Sequence, residues 1–207
     1  MRKLIVSNFI SLDGYVEGPD RNVMALPIDG FFDEYNLERL RTSATLLLGA
    51  TTYMGLKGYW PAVADNPELS PAVALNPEMY ELHRETGQRN NQILKMVVSD
   101  NLTEHDTAPW TDTTIIVRRA DAQDAVSELK GRPGKDILML GSRTLWNDLL
   151  VAGLVDELHL MIGAAIIGGG TRAFDSEPVS PLRLINTRRR EGSENVMLQY
   201  AVARRDE

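Results

Sequence analysis

The chain contains no cysteine. A disulfide framework and a thiolate zinc site are therefore both excluded. Histidine is scarce: His83, His105 and His159 are the three, and they do not stand at metal-ligand spacing. Basic residues are outnumbered, 22 Lys and Arg against 29 Asp and Glu, for a formal net charge of -7. The chain thus lacks the basic footprint of nonspecific nucleic-acid binding, and an anionic ligand would need locally placed basic groups. No apolar run reaches membrane-spanning length. Met1-Arg2-Lys3 leads into a segment too short and too soon polar for a signal peptide. Internal repeats and low-complexity segments are missing too. These absences set the expectation of a reduced, cytoplasmic compartment, with neither nucleic acid nor membrane as partner.

Apolar residues make up 43% of the 207 positions. That supports one sizeable core, so a single domain over 1–207 is expected. The stretch from Asp136 to Asp175 organises it. Ile137 to Leu140 is an apolar run of buried-strand length, broken by Gly141-Ser142. Leu145, Trp146, Leu149 and Leu150 then recur at helical spacing, and Gly153 is a helix stop. Val155 to Ile162 reads as a second strand. Strand, Gly-Ser turn, helix and strand form a βαβ unit, which requires a parallel sheet. The turn places backbone N–H groups and a helix N-terminus at the carboxyl edge of that sheet, a site suited to phosphate. The alternative is that Ser142 simply caps the helix. The cluster Gly168-Gly169-Gly170 lets a ligand or another backbone come close, or only loosens a loop.

The same arrangement occurs earlier. Ala44 to Leu48 is an apolar strand closed by Gly49, and Ala50-Thr51-Thr52-Tyr53 opens a helix. In one parallel sheet both turns face the same edge. Lys3 to Ile10 is another buried strand, interrupted by Ser7 and Asn8 and followed by the breakers Asp13-Gly14 and Gly18-Pro19. Asp13 either closes that turn or contacts a substrate. Asp29 to Thr42 carries a helical pattern with Asp29 or Asp33 as cap, and Asp33 and Glu34 stand where the macrodipole favours acids. Tyr59-Trp60-Pro61 ends the second helix. Pro61 to Pro77, with prolines at 61, 67, 71 and 77, reads as a surface loop or lid within an insertion over 61–90. Glu78 to Asn90 is a polar helix, Asn91 to Ser99 and Thr113 to Arg118 are strands, and Asp121 to Lys130 is a short helix. Leu182 to Thr187 and Val196 to Ala203, across a polar turn, read as an antiparallel hairpin.

Six segments, taken in order and spacing, carry a resemblance: S-L-D-G after the first strand, L-L-L-G-A-T-T-Y, K-M-V-V-S, L-G-S-R-T-L, G-L-V-D-E-L and I-I-G-G-G-T-R-A-F. Together they resemble the dihydrofolate reductase-like superfamily, above all the reductase domain of the riboflavin-biosynthesis deaminase/reductase and its stand-alone relatives. The resemblance spans nearly the whole chain. It implies an α/β, three-layer dihydrofolate reductase-like fold, with a mostly parallel central sheet and a C-terminal antiparallel hairpin. It also implies NADPH-dependent hydride transfer, as in 5-amino-6-(5-phosphoribosylamino)uracil reductase. By the family pattern Gly49, Thr51 and Thr52 lie against the pyrophosphate and Ser99 near the adenosine ribose. Gly141, Ser142, Arg143 and Thr144 form a second phosphate-binding turn. Gly168, Gly169 and Gly170 belong to the same cofactor edge, and Phe9 and Val16 flank the nicotinamide. Relatives are often homodimers through the C-terminal strands, so a homodimer is implied.

Two positions depart from the family pattern. Ala50 and Asp100 stand where relatives often have basic residues, which commonly help hold the 2′-phosphate that separates NADPH from NADH. Arg118 and Arg119, at the end of the next strand, are the expected substitutes, and NADH binding is then also allowed. In dihydrofolate reductase a carboxylate on the helix after the first strand serves the pterin end. Asp33 lies at a comparable place. It is the candidate catalytic group, with a pKa raised by partial burial, that would protonate or hydrogen-bond a pyrimidine-like ring. Tyr59 and Trp60 are candidates to stack on the substrate ring. Before residue 84 the basic residues are sparse, Arg21, Arg39, Arg41 and Lys57 among them. A substrate phosphate therefore has no evident basic cluster. The expected function is an NAD(P)H-dependent reductase of a pterin, pyrimidine or other small heterocycle. The alternative is a non-catalytic dimeric nucleotide-binding module.

Overall fold

In the computed structural model, which describes residues 1–175 and 181–203, β1 (Leu4–Ser11) is buried along its whole length. Only a central strand, covered on both faces of its sheet, has that environment. β1 pairs in parallel with β6 (Asp136–Leu140) on one side and β7 (Glu157–Gly163) on the other. Beyond β6 the parallel array continues through β3 (Ser43–Gly49), β4 (Leu94–Val98) and β5 (Thr114–Val117). Past β7 the direction reverses. β10 (Val196–Val202) runs antiparallel to β7, and β9 (Leu182–Arg188) antiparallel to β10. The eight strands thus stand in the order β5-β4-β3-β6-β1-β7-β10-β9. The βαβ unit is present, with β1 lying between its two strands, and the C-terminal hairpin is antiparallel as expected.

Helices cover both faces. On one, α5 (Ala122–Gly131) and α6 (Arg143–Val151) press Val126, Leu129, Leu145, Trp146 and Leu149 onto Leu4, Val6, Ile137 and Met139. On the other lie α1 (Gly30–Thr42) and α2 (Ala50–Asp65), whose Leu40 and Tyr53 pack with Leu46, Leu48, Val97 and Leu138. Phe31 and Tyr35 of α1 join Phe9, Met161 and Met197. α4 (Tyr80–Gln92) packs on both α1 and α2. Gly87 makes that crossing close, since a Cβ there would lie 2.7 Å from the Ala64 nitrogen. A small antiparallel pair, β2 (Tyr15–Glu17) with β8 (Thr171–Arg172), lies apart from the main sheet. Among the described residues no helix is long and apolar enough to cross a membrane.

The segment expected as a loop is helical. α2 does not end at Trp60 but runs through Pro61 to Asp65. One proline gives up a single helical hydrogen bond without ending a helix that packing holds in place. Pro67 and Pro77 then open single 3-10 turns, and Pro71 opens α3 (Pro71–Leu75). Each of these three prolines starts a turn, where its missing N–H would have had no helical partner.

One polar residue sits in this core against type. Lys95 on β4 is 0% exposed. Its ammonium donates to Thr113 Oγ1 at 3.0 Å and to the Asn91 carbonyl at 3.3 Å, and lies 4.2 Å from the Trp110 ring centre. Among the described residues no carboxylate pairs with it. Burial pushes its pKa down from 10.5 to about 7. Between those two values the unfolded chain holds a proton that the folded chain does not, so this group makes stability rise with pH across that window. We expect Lys95→Met to be more stable than the parent by roughly 2 kcal/mol at pH 6, with the difference shrinking toward pH 10. Urea unfolding of both proteins at pH 6, 8 and 10 measures this, and a pH-independent difference would contradict it.

Candidate active site

β3 and β6 are parallel neighbours, so the turns that follow them lie side by side at the carboxyl edge of the sheet. They are laced together. The Gly49 N–H donates to Ser142 Oγ at 2.9 Å, and the Ser142 N–H donates to Thr52 Oγ1 at 2.9 Å. Ser142 Oγ in turn donates to the Leu140 carbonyl at 3.1 Å, and Asn8 Nδ2 reaches the Gly141 carbonyl at 3.3 Å. Ser142 is therefore not the cap of α6: its hydroxyl makes no capping bond, and its backbone is left-handed at φ 55. Gly141 is required twice over, by φ +54 and because a Cβ would sit 3.0 Å from Thr52 Oγ1.

Diverting both hydroxyls leaves two helix N-termini open. α2 and α6 have no side-chain cap, whereas Asp29 accepts from Phe31 N at 3.1 Å and caps α1. Each uncapped end presents unpaired backbone N–H groups and the positive end of a helix dipole. Thr51 and Thr144 are exposed at these two ends. The Arg143 side chain, by contrast, is committed. Its Nε donates to the Arg172 carbonyl at 2.6 Å, and its guanidinium pairs with Asp175.

Asp13 latches the glycine loop. Its carboxylate accepts from Ser11 Oγ at 2.7 Å, Gly168 N at 2.8 Å and Ile167 N at 3.2 Å. The Ser11 hydrogen bond, helped by the two backbone N–H groups, holds its pKa below the ordinary value. The carboxylate proposed for a substrate is thus engaged within the chain. Of the three glycines, Gly170 answers to a backbone: at φ +120, a Cβ would fall 2.1 Å from the Glu17 carbonyl oxygen. Gly168 has open space around it, and Gly169 has only Pro19 within reach, at 3.9 Å. Phe9 is a core residue, 5% exposed, edge-on to Phe32 at 5.4 Å and pressed beneath Gly163. Its ring is not open to a nicotinamide. Val16 is half-buried at the margin of the core.

At the end of β4, Ser99 Oγ accepts from Leu102 N at 3.0 Å and Asn101 N at 3.2 Å, closing a turn. Arg118 donates to the Asp100 carbonyl. The Arg119 N–H donates to Asp100 Oδ1 at 3.0 Å, and its guanidinium lies 4.0 Å from Asp100 and 3.8 Å from Asp148. Both arginines are exposed, but each is drawn to the acid that stands where a basic residue was expected.

The remaining candidates meet in a cluster that sequence reading did not assemble. Asp33, in the first turn of α1, places Oδ2 3.5 Å from His83 Nε2 of α4. Tyr59 OH donates to Ser70 Oγ at 2.8 Å, and Ser70 Oγ lies 3.0 Å from His83 Nδ1. Trp60 tilts over the His83 ring at 5.8 Å and meets Tyr59 edge-on at 4.9 Å. Tyr59 and Trp60 thus pack on the 61–90 segment rather than lying free as a stacking platform. A signal for His83 existed: His83, Thr86, Gly87 and Asn90 are spaced at one helical face among charged residues, and all four are buried. Among the described residues no group of His, Asp and Glu is arranged to hold a metal.

Comparison with known proteins agrees with this architecture. Residues 2–198 match the family model of the RibD C-terminal domain. The uncharacterized protein YyaP of Bacillus subtilis (strain 168) is 26% identical over 194 residues, 90% of this chain and 88% of YyaP. The diaminohydroxyphosphoribosylaminopyrimidine deaminase/5-amino-6-(5-phosphoribosylamino)uracil reductase of Thermotoga maritima superposes with a TM-score of 0.63 at 13% identity, over 98% of this chain and 57% of that one. Dihydrofolate reductase from Enterococcus faecalis, solved in complex with NADP(H), gives a TM-score of 0.56 at 12% identity, over 97% and 96%. At these identities the solved structures speak for the fold, which is the three-layer dihydrofolate reductase-like one. With a family model that spans nearly the whole sequence, this chain belongs to the RibD C-terminal domain family.

Proposed function

We propose that the protein is a nicotinamide-dependent reductase of a small heterocycle of pyrimidine or pterin type, with NADPH as its hydride source. The observation that carries this reading is the pair of uncapped helix N-termini, α2 and α6, laced side by side at one sheet edge. Two such ends suit the two phosphates of a dinucleotide. The residues that would hold the pyrophosphate are those opening the two helices, Gly49, Thr51 and Thr52 on one side and Gly141, Ser142 and Thr144 on the other. The reductase named for the Thermotoga protein and the NADP(H) bound to the Enterococcus enzyme support the same reading. When bound, NADPH supplies the hydride. The chain's own task is to hold the acceptor carbon in near-attack contact and to offer a proton-bearing or proton-accepting group to the acceptor ring. Asp33, in the first turn of α1 and 27% exposed at its side chain, is the group we assign to the ring. Arg118 and Arg119 are the residues we assign to the 2′-phosphate. Arg118 bonds the backbone carbonyl of Asp100 and, among the described residues, forms no ion pair with a carboxylate, so its charge is available there, while Arg119 lies near both Asp100 and Asp148. A homodimer through the C-terminal strands accords with β9 being an edge strand that exposes Leu184 and Ile185.

The deciding experiment is a tryptophan-fluorescence titration with NADPH and with NADH. It is followed by an NADPH-oxidation assay with 5-amino-6-(5-phosphoribosylamino)uracil and dihydrofolate as acceptors. We expect saturable NADPH binding, NADH weaker by about five-fold, and oxidation with at least one acceptor. Saturable binding without oxidation would favour a nucleotide-binding module, and no binding of either nucleotide would end the proposal.

Two substitutions refine it. Replacing both Arg118 and Arg119 by Ala should weaken NADPH binding by about five- to ten-fold and leave NADH unchanged. An equal loss for both nucleotides would remove the arginines from the 2′-phosphate. Ser142→Ala deletes the acceptor of the Gly49 N–H and should cost about 1 kcal/mol in cofactor binding, roughly five-fold in Kd. An unchanged Kd would mean that the lacing does not shape the site.

A further inference from the structure

We propose that His83 is a positioning residue for Asp33, and that Tyr59 and Ser70 set the tautomer in which it acts. The 61–90 segment would thereby contribute to the chemistry on α1. The kinetic consequence rests on the reductase reading above, whereas the tautomer and its coupling to Asp33 do not.

The argument begins with a directional chain. Tyr59 OH donates to Ser70 Oγ at 2.8 Å. Ser70 is 0% exposed, and its own hydroxyl proton is left for its other neighbour, His83 Nδ1, at 3.0 Å. Ser70 Oγ is assigned as the donor in that contact, so that Nδ1 accepts. A neutral imidazole carries one proton, which then resides on Nε2. Nε2 is buried and makes no hydrogen bond, yet it lies 3.5 Å from Asp33 Oδ2. The ring has little freedom to turn away, since His83 is 3% exposed and Trp60 lies across it at 5.8 Å.

A buried N–H without a partner is destabilising, and an apolar side chain would fill the same space without that cost. The geometry of Asp33 gives the unpaired N–H a use. The first turn of α1 is fixed to the sheet through Phe32, edge-on to Phe9 at 5.4 Å. The adjacent charges, Glu34 and Arg190, pair with each other at 2.9 Å. Among the described residues neither Lys nor Arg forms an ion pair with Asp33. His83 is thus the group placed to hold one carboxylate oxygen inward. The other oxygen stays free to accept from a ring N–H or an exocyclic amine of a heterocyclic substrate. A short movement of the Asp33 side chain would turn the 3.5 Å approach into a full hydrogen bond.

The test compares His83→Leu, His83→Gln and Ser70→Ala with the parent. Gln retains an N–H donor on a side chain of similar reach, and Leu retains only bulk. Histidine side-chain 15N spectra, assigned by loss of the His83 signals in His83→Gln, should show His83 as the Nε2–H tautomer. The Nε2 signal should move in Asp33→Asn, and the tautomer should become mixed in Ser70→Ala. With whichever of the two acceptors is reduced, His83→Leu should lower kcat about ten-fold while the NADPH Kd stays within two-fold. His83→Gln should remain within about three-fold of the parent. An Nδ1–H tautomer, or a His83 signal indifferent to Asp33→Asn, would overturn the proposal. So would equal kcat for His83→Leu and the parent. If NADPH binds but neither acceptor is reduced, the reductase reading fails, and the nitrogen spectra still decide whether His83 is coupled to Asp33.

Discussion

The structure depends on one pairing: β3 beside β6, parallel, with their carboxyl ends level. The helices that follow these strands go to opposite faces of the sheet, α2 to one layer and α6 to the other. Their N-termini can approach each other only at the edge where the two strands stop. There the chain joins them with hydroxyls, not charges. Thr52 accepts from Ser142 N, and Ser142 accepts from Gly49 N. An Asp at either position would have supplied an acceptor as well. It would also have placed a negative charge where two helix dipoles converge, and so competed with an anionic ligand. Neutral lacing keeps the edge rigid and still electropositive.

The arginines around that edge behave differently from the backbone. Arg143 is held by Asp175 and the Arg172 carbonyl, and Arg118 and Arg119 are gathered around Asp100. In a chain of net charge -7, two of these three arginines lie beside a carboxylate. An anion arriving at this edge must share the Arg143 and Arg119 guanidinium groups with acids already present, whereas Arg118 is bonded to a backbone carbonyl. Partly exposed pairs of this kind contribute little on their own. In the function proposed, recognition of a pyrophosphate would therefore fall mainly on backbone N–H groups, whose direction the fold fixes. The arginines would then bear chiefly on which nucleotide is preferred.

Much of this was legible beforehand because it follows from local rules. Apolar runs ended by glycine and a hydroxyl residue gave both turns, and the common direction of strands in one parallel sheet put them at one edge. The C-terminal hairpin followed from alternation and a polar turn. Several readings did not survive the structure, and three show the physical reasons. Prolines 61 to 77 suggested a loop, yet three of them start helical turns and the first is tolerated inside α2. Phe9 seemed available to a ligand, but tertiary packing beneath Gly163 took it into the core. Ser142 resembled a cap, but its best partner lay across the sheet edge, 93 residues away in sequence. Spacing cannot encode such a partner. The same holds for Asp33 and His83, which come from helices that meet only once α4 has packed against α1.

The two buried histidines show why His83 reads as something more than packing. His159 is 1% exposed and fully satisfied. Glu157 can only accept, so Nε2–H donates to it at 2.8 Å, and Nδ1 then accepts from Tyr35 OH at 2.6 Å. Glu157, held down to about 2 chiefly by that hydrogen bond, continues the network to Lys3, and burial pushes Tyr35 up to about 12. No buried side-chain atom of that network is left without a partner, as expected of a structural polar network in a core. His83 is buried to the same degree and braced on one side in the same way, by a hydroxyl on Nδ1. Its other nitrogen is left without a hydrogen bond, facing a carboxylate that is itself only partly withdrawn from solvent. Under the proposal made for His83, this gap, in the first turns of two helices, is what would let it respond when the carboxylate takes a ligand.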